Sequence, residues 1–384
     1  GLEAGGEYFY RFTHDGESSM TGQTRTLPEG ALDEVELAVF SCANFPAGYF
    51  NPYAEAVERG FDYSVHLGDY IYESAFGGFG SENAEEVGRV PQPLNETVTP
   101  QDYSLRYQTY TRDADLQALR AEAPMIMMWD DHETANDAWE TGAEAHDPVT
   151  EGPWEDRRDA GLEAYFNWNP LREPESGDLR DHDKAYDFGD LATLHMLETR
   201  LQARDETRSD LAFTALPNKI GAYAADPTGR AFVEDLAALP DLIPEGVDLT
   251  DPDDVAALAS DEGLVLRVAL GTLLAEAADP QRDMIGDQQL EEFTSRLEGS
   301  DATWQLIGSQ TLMNRMTLPQ SLLLDPTAAL DFAAIAQKLA AGQPLTEAET
   351  ALLEQPRIPY NLDAWDGYEA DREAVTQALV ENDA

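Results

Sequence analysis

The sequence predicts an α/β domain of layered α/β/α type, on three observations. Five short apolar segments recur at Val35–Phe40, Tyr63–Leu67, Met125–Trp129, Ala192–Leu197 and Trp304–Ile307. Helical patterns such as Pro52–Arg59 and Pro153–Trp168 lie between them. Polar residues able to do chemistry follow directly on the first three. Continuous apolar runs of strand length read as strands buried on both faces, and their alternation with helices implies a sheet covered by helices.

Taken in chain order, the first element is the alternating segment Tyr8–Phe12, a strand that too little preceding chain is present to pair with. The five buried strands and their helices follow. The stretch Arg204–Arg282 differs: it is rich in Asp, Ala, Leu and Pro, with an acidic cluster at Asp248–Asp254 and helical runs at Asp253–Leu264 and Leu266–Ala277. It and Asp325–Pro356 read as helical surface insertions, bounded near 205–281 and 320–358. Neither carries His, Cys or a Gly-rich loop. A last helix is expected over Glu369–Val380.

Composition narrows the function. With 384 residues, 42% of them hydrophobic, the chain can bury a sizeable core, and no apolar run is long enough to span a bilayer. No segment reads as a signal peptide. The 24 basic against 75 acidic residues give a net charge of −51, which repels nucleic-acid phosphates. Acidity spread along the chain, with lysines only at 184, 219 and 338, fits a halophilic or marine source, since concentrated salt screens the self-repulsion. Cys42 is the single cysteine, so no intrachain disulfide forms; alone it would read as a small core residue.

The chemistry gathers at three strand ends. Ser41-Cys42-Ala43-Asn44 follows the first strand, His66-Leu67-Gly68-Asp69-Tyr70-Ile71-Tyr72-Glu73 closes the second, and Trp129-Asp130-Asp131-His132-Glu133 with Asn136 closes the third. Ligands bind beyond the carboxyl ends of strands in open α/β sheets, and Gly68 lets the chain turn so that Asp69 points outward. These residue types suit two metal ions. Asp69 can bridge both. Cys42 and Tyr72 must lose protons to bind and so favour a strongly Lewis-acidic ion such as Fe3+. Asp131 and Asn136 offer oxygens to a harder ion, Ca2+ or Mn2+. Two ions about 3.5–4 Å apart activate water and clamp a phosphoryl group, and His132 stands ready to assist the leaving oxygen.

The same residues resemble the alkaline phosphatase D (PhoD) family of calcineurin-like metallophosphoesterases. Further likenesses are Thr24-Arg25-Thr26-Leu27-Pro28, Arg106-Tyr107 with Asp115-Leu116-Gln117, Leu197-Glu198-Thr199-Arg200, Ile285-Gly286-Asp287-Gln288-Gln289 and Trp365-Asp366-Gly367-Tyr368. The resemblance implies a metallophosphoesterase-type sandwich with mixed sheets at 35–384, and the end of an N-terminal β-sandwich domain at 1–34. It implies Fe3+ held by Cys42, Asp69 and Tyr72, and Ca2+ held by Asp69, Asp131 and Asn136. Asp130 becomes an outer or alternative ligand, and His132 and Asp69 the catalytic residues. It further implies hydrolysis of phosphomonoesters and phosphodiesters, outside the cytoplasm. The family's Gly-Asp-x-His metal motif is absent from the sequence, so the chain is expected to stop short of it and to bind metal poorly as it stands. Arg89, Arg106 and Arg112 are candidate phosphate contacts. His14, His146, His182 and His195 read as surface or structural. Two other classes compete with this reading: a carboxylate-based glycosidase and a non-catalytic acidic calcium-binding protein.

Overall fold

The computed structural model describes residues 1–207, 211–324 and 327–382. The chain forms two compact units. The first comprises Gly1–Thr207, Asp283–Thr311 and Glu373–Ala384, the second Arg208–Arg282 and Leu312–Arg372.

In the first unit, β1 (Glu7–Tyr10) pairs antiparallel with β2 (Gly22–Arg25). The expectation that the first strand lacks a partner is thus corrected. The chain doubles back through Asp15 and Gly16, both at positive φ, a dipeptide suited to the tight turn of a twisted hairpin. Next come β3 (Leu37–Phe40), β4 (Tyr63–Leu67) and β5 (Met125–Met128), a parallel sheet with β4 in the centre. Parallel register sends all three carboxyl ends to one edge. The predicted fourth and fifth segments form β7 (Ala192–Met196) and β8 (Trp304–Gly308), which pair in parallel. Beside β7 runs β6 (Lys184–Phe188), antiparallel to it and not anticipated from the sequence. Its KAYDF run is interrupted by charge because it lies at a sheet edge, where the apolar signal is weak.

Four helices join the first sheet: α1 (Asn51–Arg59), α2 (Pro100–Tyr110), α3 (Ala114–Glu122) and α4 (Trp154–Trp168). Thr99 and Asp102 close a reciprocal capping box on α2, and Asp113 accepts the amides of Asp115 and Leu116 to start α3. Val65, Met127 and Trp129 share one core with Phe188, Leu194 and Met196 of the second sheet and with Tyr103, Tyr107 and Tyr165 of the helices. At about 25 cal/mol per Å² of apolar surface, such large rings dominate the burial that holds the strand ends still.

The second unit has its own core around Tyr223, Phe232, Leu236, Val268 and Leu273, joined by Ile358 and Leu362. Ile358, at the end of the second segment read as an insertion, thus packs with the helices of the first; Asp325 and Pro326 lie outside the described residues. The run expected as one helix at Asp253–Leu264 is split into Pro252–Ala259 and Glu262–Ala277. Asp261 is the reason: its side chain accepts the amide of Leu264 and starts the second helix.

Candidate metal centre

Three loops leave the parallel sheet together and are locked to each other by backbone contacts. The amide of Cys42 donates to the carbonyl of Gly68 at 3.1 Å and that of Ala43 to Asp69 at 2.8 Å, extending the β3–β4 pairing beyond the strands. Gly68 lies at φ 97°, and a Cβ there would stand 2.3 Å from the amide nitrogen of Asp130. Only glycine permits that approach of the second loop to the third. Glu133 completes the joint. Its buried carboxylate accepts the amides of Asp69 at 3.1 Å, Tyr70 at 2.6 Å and Asp130 at 2.9 Å.

Two candidate ligands sit in backbone conformations that L-residues avoid: Cys42 at φ 58° and Asp69 at φ 56°. Each costs on the order of 1–3 kcal/mol and persists only where surrounding contacts impose it. The imposed geometry brings ligand atoms of Asp69, Asp131 and His132 within 4.8 Å of one another. Tyr72 donates its hydroxyl to Asp69 Oδ2 at 2.9 Å, while Asp69 Oδ1 is buried with no hydrogen-bond partner. A buried acceptor left unsatisfied calls for a bound group. The Cys42 thiol faces the same carboxylate from an exposed position; partial burial and Asp69 push it up to about 11. Burial also lifts the Tyr72 hydroxyl far above its ordinary range. Both surroundings thus favour the protonated side chain at neutral pH.

Crowding of carboxylates gives the second sign. Burial raises Asp69 to about 6, with Asp131 adding to the rise and His132 opposing it. Burial raises Asp130 to about 8 although the Arg200 guanidinium bonds its Oδ1 at 2.6 Å. The other guanidinium edge of Arg200 lies 3.8 Å from Asp131. Arg200 and His132 face the carboxylates of Asp69, Asp130 and Asp131, and a multivalent cation would relieve the repulsion among them. The donor set therefore fits metal ions: Asp69 and Asp131 gathered beside His132, with Cys42 and Tyr72 on the flank of Asp69. Asn136 contributes its backbone amide to Glu73 Oε1 at 2.8 Å.

His132 is oriented from behind. Its Nδ1 lies 2.6 Å from Glu73 Oε2, and its ring stacks on Tyr72 with centroids 4.1 Å apart. That leaves Nε2 as the ring nitrogen not tied to Glu73. The sequence reading gave no role to Glu73, Glu133 or Arg200. The two glutamates stood inside the strand-end motifs, where an acid four residues after Asp69 and another two after Asp131 was the available signal. Arg200 could not be tied to Asp130 across 70 residues of sequence.

Two arginines offered as phosphate contacts are committed elsewhere. Arg106 is buried and donates to the carbonyls of Tyr72, Ser74, Gln92, Pro93 and Asn95, so it fastens the loop after Tyr72. Arg89 pairs with Asp113 at 2.5 Å and lies 3.8 Å over the Phe45 ring. Arg112 is exposed. His146 pairs with Glu151, His182 stacks on Trp129, His195 bonds Gln305 and His14 is exposed, all apart from the cluster.

Comparison with known proteins identifies the family. Residues 37–384 match the PhoD-like phosphatase family. The chain is 34% identical over 221 residues to alkaline phosphatase D of Bacillus subtilis (strain 168), covering 55% of this chain and 36% of that protein. It superposes on a solved structure of PhoD with TM-score 0.66 and 24% identity, over 100% of this chain and 55% of the other, a likeness of fold. The chain thus spans about a third to a half of the length of these relatives. On the match over residues 37–384, the chain belongs to the PhoD-like phosphatase family.

Proposed function

We propose that the protein is a metal-dependent phosphoric ester hydrolase acting on small phosphate esters. The observation that carries this reading is the unsatisfied Asp69 Oδ1 within a gathered Asp69–Asp131–His132 cluster at the carboxyl edge of a parallel sheet. Cys42, Asp69 and Tyr72 would hold Fe3+; Asp69, Asp131 and Asn136 would hold Ca2+ or Mn2+, with Asp130 outside them. When bound, the ions supply Lewis acidity that activates water and neutralises phosphate charge.

The chain's own residues do the rest. Asp69 spans the site because Glu133 and Gly68 fix its backbone. Glu73 holds His132 at Nδ1, so Nε2 faces the ester and can pass a proton to the departing oxygen. Arg200 keeps Asp130 aligned and tempers its charge. We also propose that the two sheets form the α/β/α layers of a catalytic domain over 35–384. Among the described residues no helix is long and apolar enough to cross a membrane. The protein works outside the cytoplasm and in concentrated salt, a reading that the resemblance and the −51 charge support.

Stripping the metals with a chelator should lower hydrolysis of an aryl phosphate ester by about three orders of magnitude, and adding Fe3+ and Ca2+ back should restore it. Full turnover by protein shown to be metal-free would overturn the reading. His132→Ala should slow turnover by about 10²–10⁴-fold with metal content nearly unchanged. Loss of metal in that variant would make His132 a ligand instead.

A further inference from the structure

A recess of about 300 Å³ opens beside the cluster, between the loop after β3 and the start of α1. Cys42 belongs to both: it lines the recess and faces Asp69. The other walls include Phe40, Tyr49, Phe50 and Tyr53, and no charged side chain lines it. In a chain of net charge −51, an uncharged aromatic surface adjoining the polar centre is a chemical contrast that a ligand can read. The rings are braced. Tyr53 packs edge-on against Phe40 at 4.8 Å and lies 5.1 Å from Phe50, and its hydroxyl meets His66 Nε2 at 3.2 Å. Tyr49 is 59% exposed, and its hydroxyl donates to the carbonyl of Val87 at 3.0 Å, which holds the ring at the rim.

Resting on the hydrolase reading above, we infer that this recess receives the organic group of the ester and selects for an uncharged planar ring, aryl or nucleobase. A phosphoryl group at the cluster carries its substituent past Cys42, and the recess is the uncharged space on that side. Size agrees: a dry apolar cavity of about 150 Å³ accommodates benzene, so one ring fits here with room. Aromatic faces prefer stacked or edge-on rings. The Arg89 guanidinium packs against these rings, 4.6 Å from the Phe50 centroid, but it does not line the recess and is paired with Asp113, so a second phosphate or carboxylate on the substituent gains no free counter-charge there. Tyr49 is thus a specificity-determining residue.

The test is binding of non-hydrolysable probes to the metal-loaded, full-length protein by calorimetry, with phenylphosphonate against methylphosphonate. Phenylphosphonate should bind at least tenfold tighter. Tyr49→Ala should remove most of that preference while leaving methylphosphonate affinity unchanged; Tyr49→Phe, which keeps the ring, should retain it. The exposure of Tyr49 makes both variants compatible with folding. Equal affinities for the two probes would overturn the recess and leave the hydrolase reading standing. Binding of neither probe would overturn both. Comparing phenyl and nucleoside 5′-phosphonates then separates the two ring sources: tighter phenyl binding assigns an aryl group, tighter nucleoside binding a base.

Discussion

Asp69→Asn should reduce turnover by at least about 10³-fold and strip most of the metal, although the side chain keeps its shape. Both carboxylate oxygens are spoken for in the reading above: Oδ2 accepts from Tyr72 and Oδ1 is buried without a partner. An amide can still accept the tyrosine hydroxyl, but it brings no charge to neutralise two cations, and charge is what the bridge supplies. The metal-free protein should respond in the opposite direction. A carboxyl whose folded-state value rises to about 6 is penalised when ionised, so at neutral pH the Asp69 charge costs the fold stability. Removing it should raise the melting temperature of metal-free protein by about two to four degrees. Elemental analysis, turnover and a thermal scan of both forms decide the matter; near-normal turnover with metal bound would overturn the bridging role.

Gly68→Ala is expected to be the most damaging small substitution in the sheet region. The added methyl would lie 2.3 Å from the Asp130 nitrogen and 2.5 Å from its Cβ, atoms of a neighbouring loop that cannot swing aside. The φ of 97° adds a backbone penalty on top of the clash. Separating the loops would also break the Glu133 bonds that cross between them, so stability should fall by about 3–5 kcal/mol and metal content with it. Gly60→Ala is the matched control: φ is 81°, yet nothing lies within 4 Å of the new methyl. It should cost only about 1 kcal/mol in urea denaturation. Equal losses at the two positions would show that backbone conformation alone matters, not the close approach.

The strand that leads to Asp69 was legible to the residue, because Tyr63, Val65 and Leu67 alternate along it and a central strand buries even its polar Ser64 and His66. Its neighbour β3 was placed two residues too long at its start, as an edge strand's amino end is less sharply marked. Trp129 was read as the end of β5; its indole instead donates to Glu198 at 2.8 Å where the chain has already turned toward the site. The strand-end motifs carried the candidate donors, since side-chain chemistry is local information. What stayed hidden was long-range: the Arg200–Asp130 pair and the Asp69 and Tyr70 amides on Glu133. Contacts across 60 or more positions leave no periodic trace in a single sequence.

Glu133 holds the two loops by their main chains, not by the side chains that those positions display. Side chains at 69 and 130 can therefore change without losing these bonds, provided a backbone amide remains, whereas Tyr70 is held besides by its burial in the core. The frame behaves as a socket into which different donor sets can be plugged. A lineage, or an engineer, could exchange carboxylate for imidazole at 130 and explore other metal preferences with the loop geometry already in place. The immobility of one buried acid is what leaves its neighbours open to innovation.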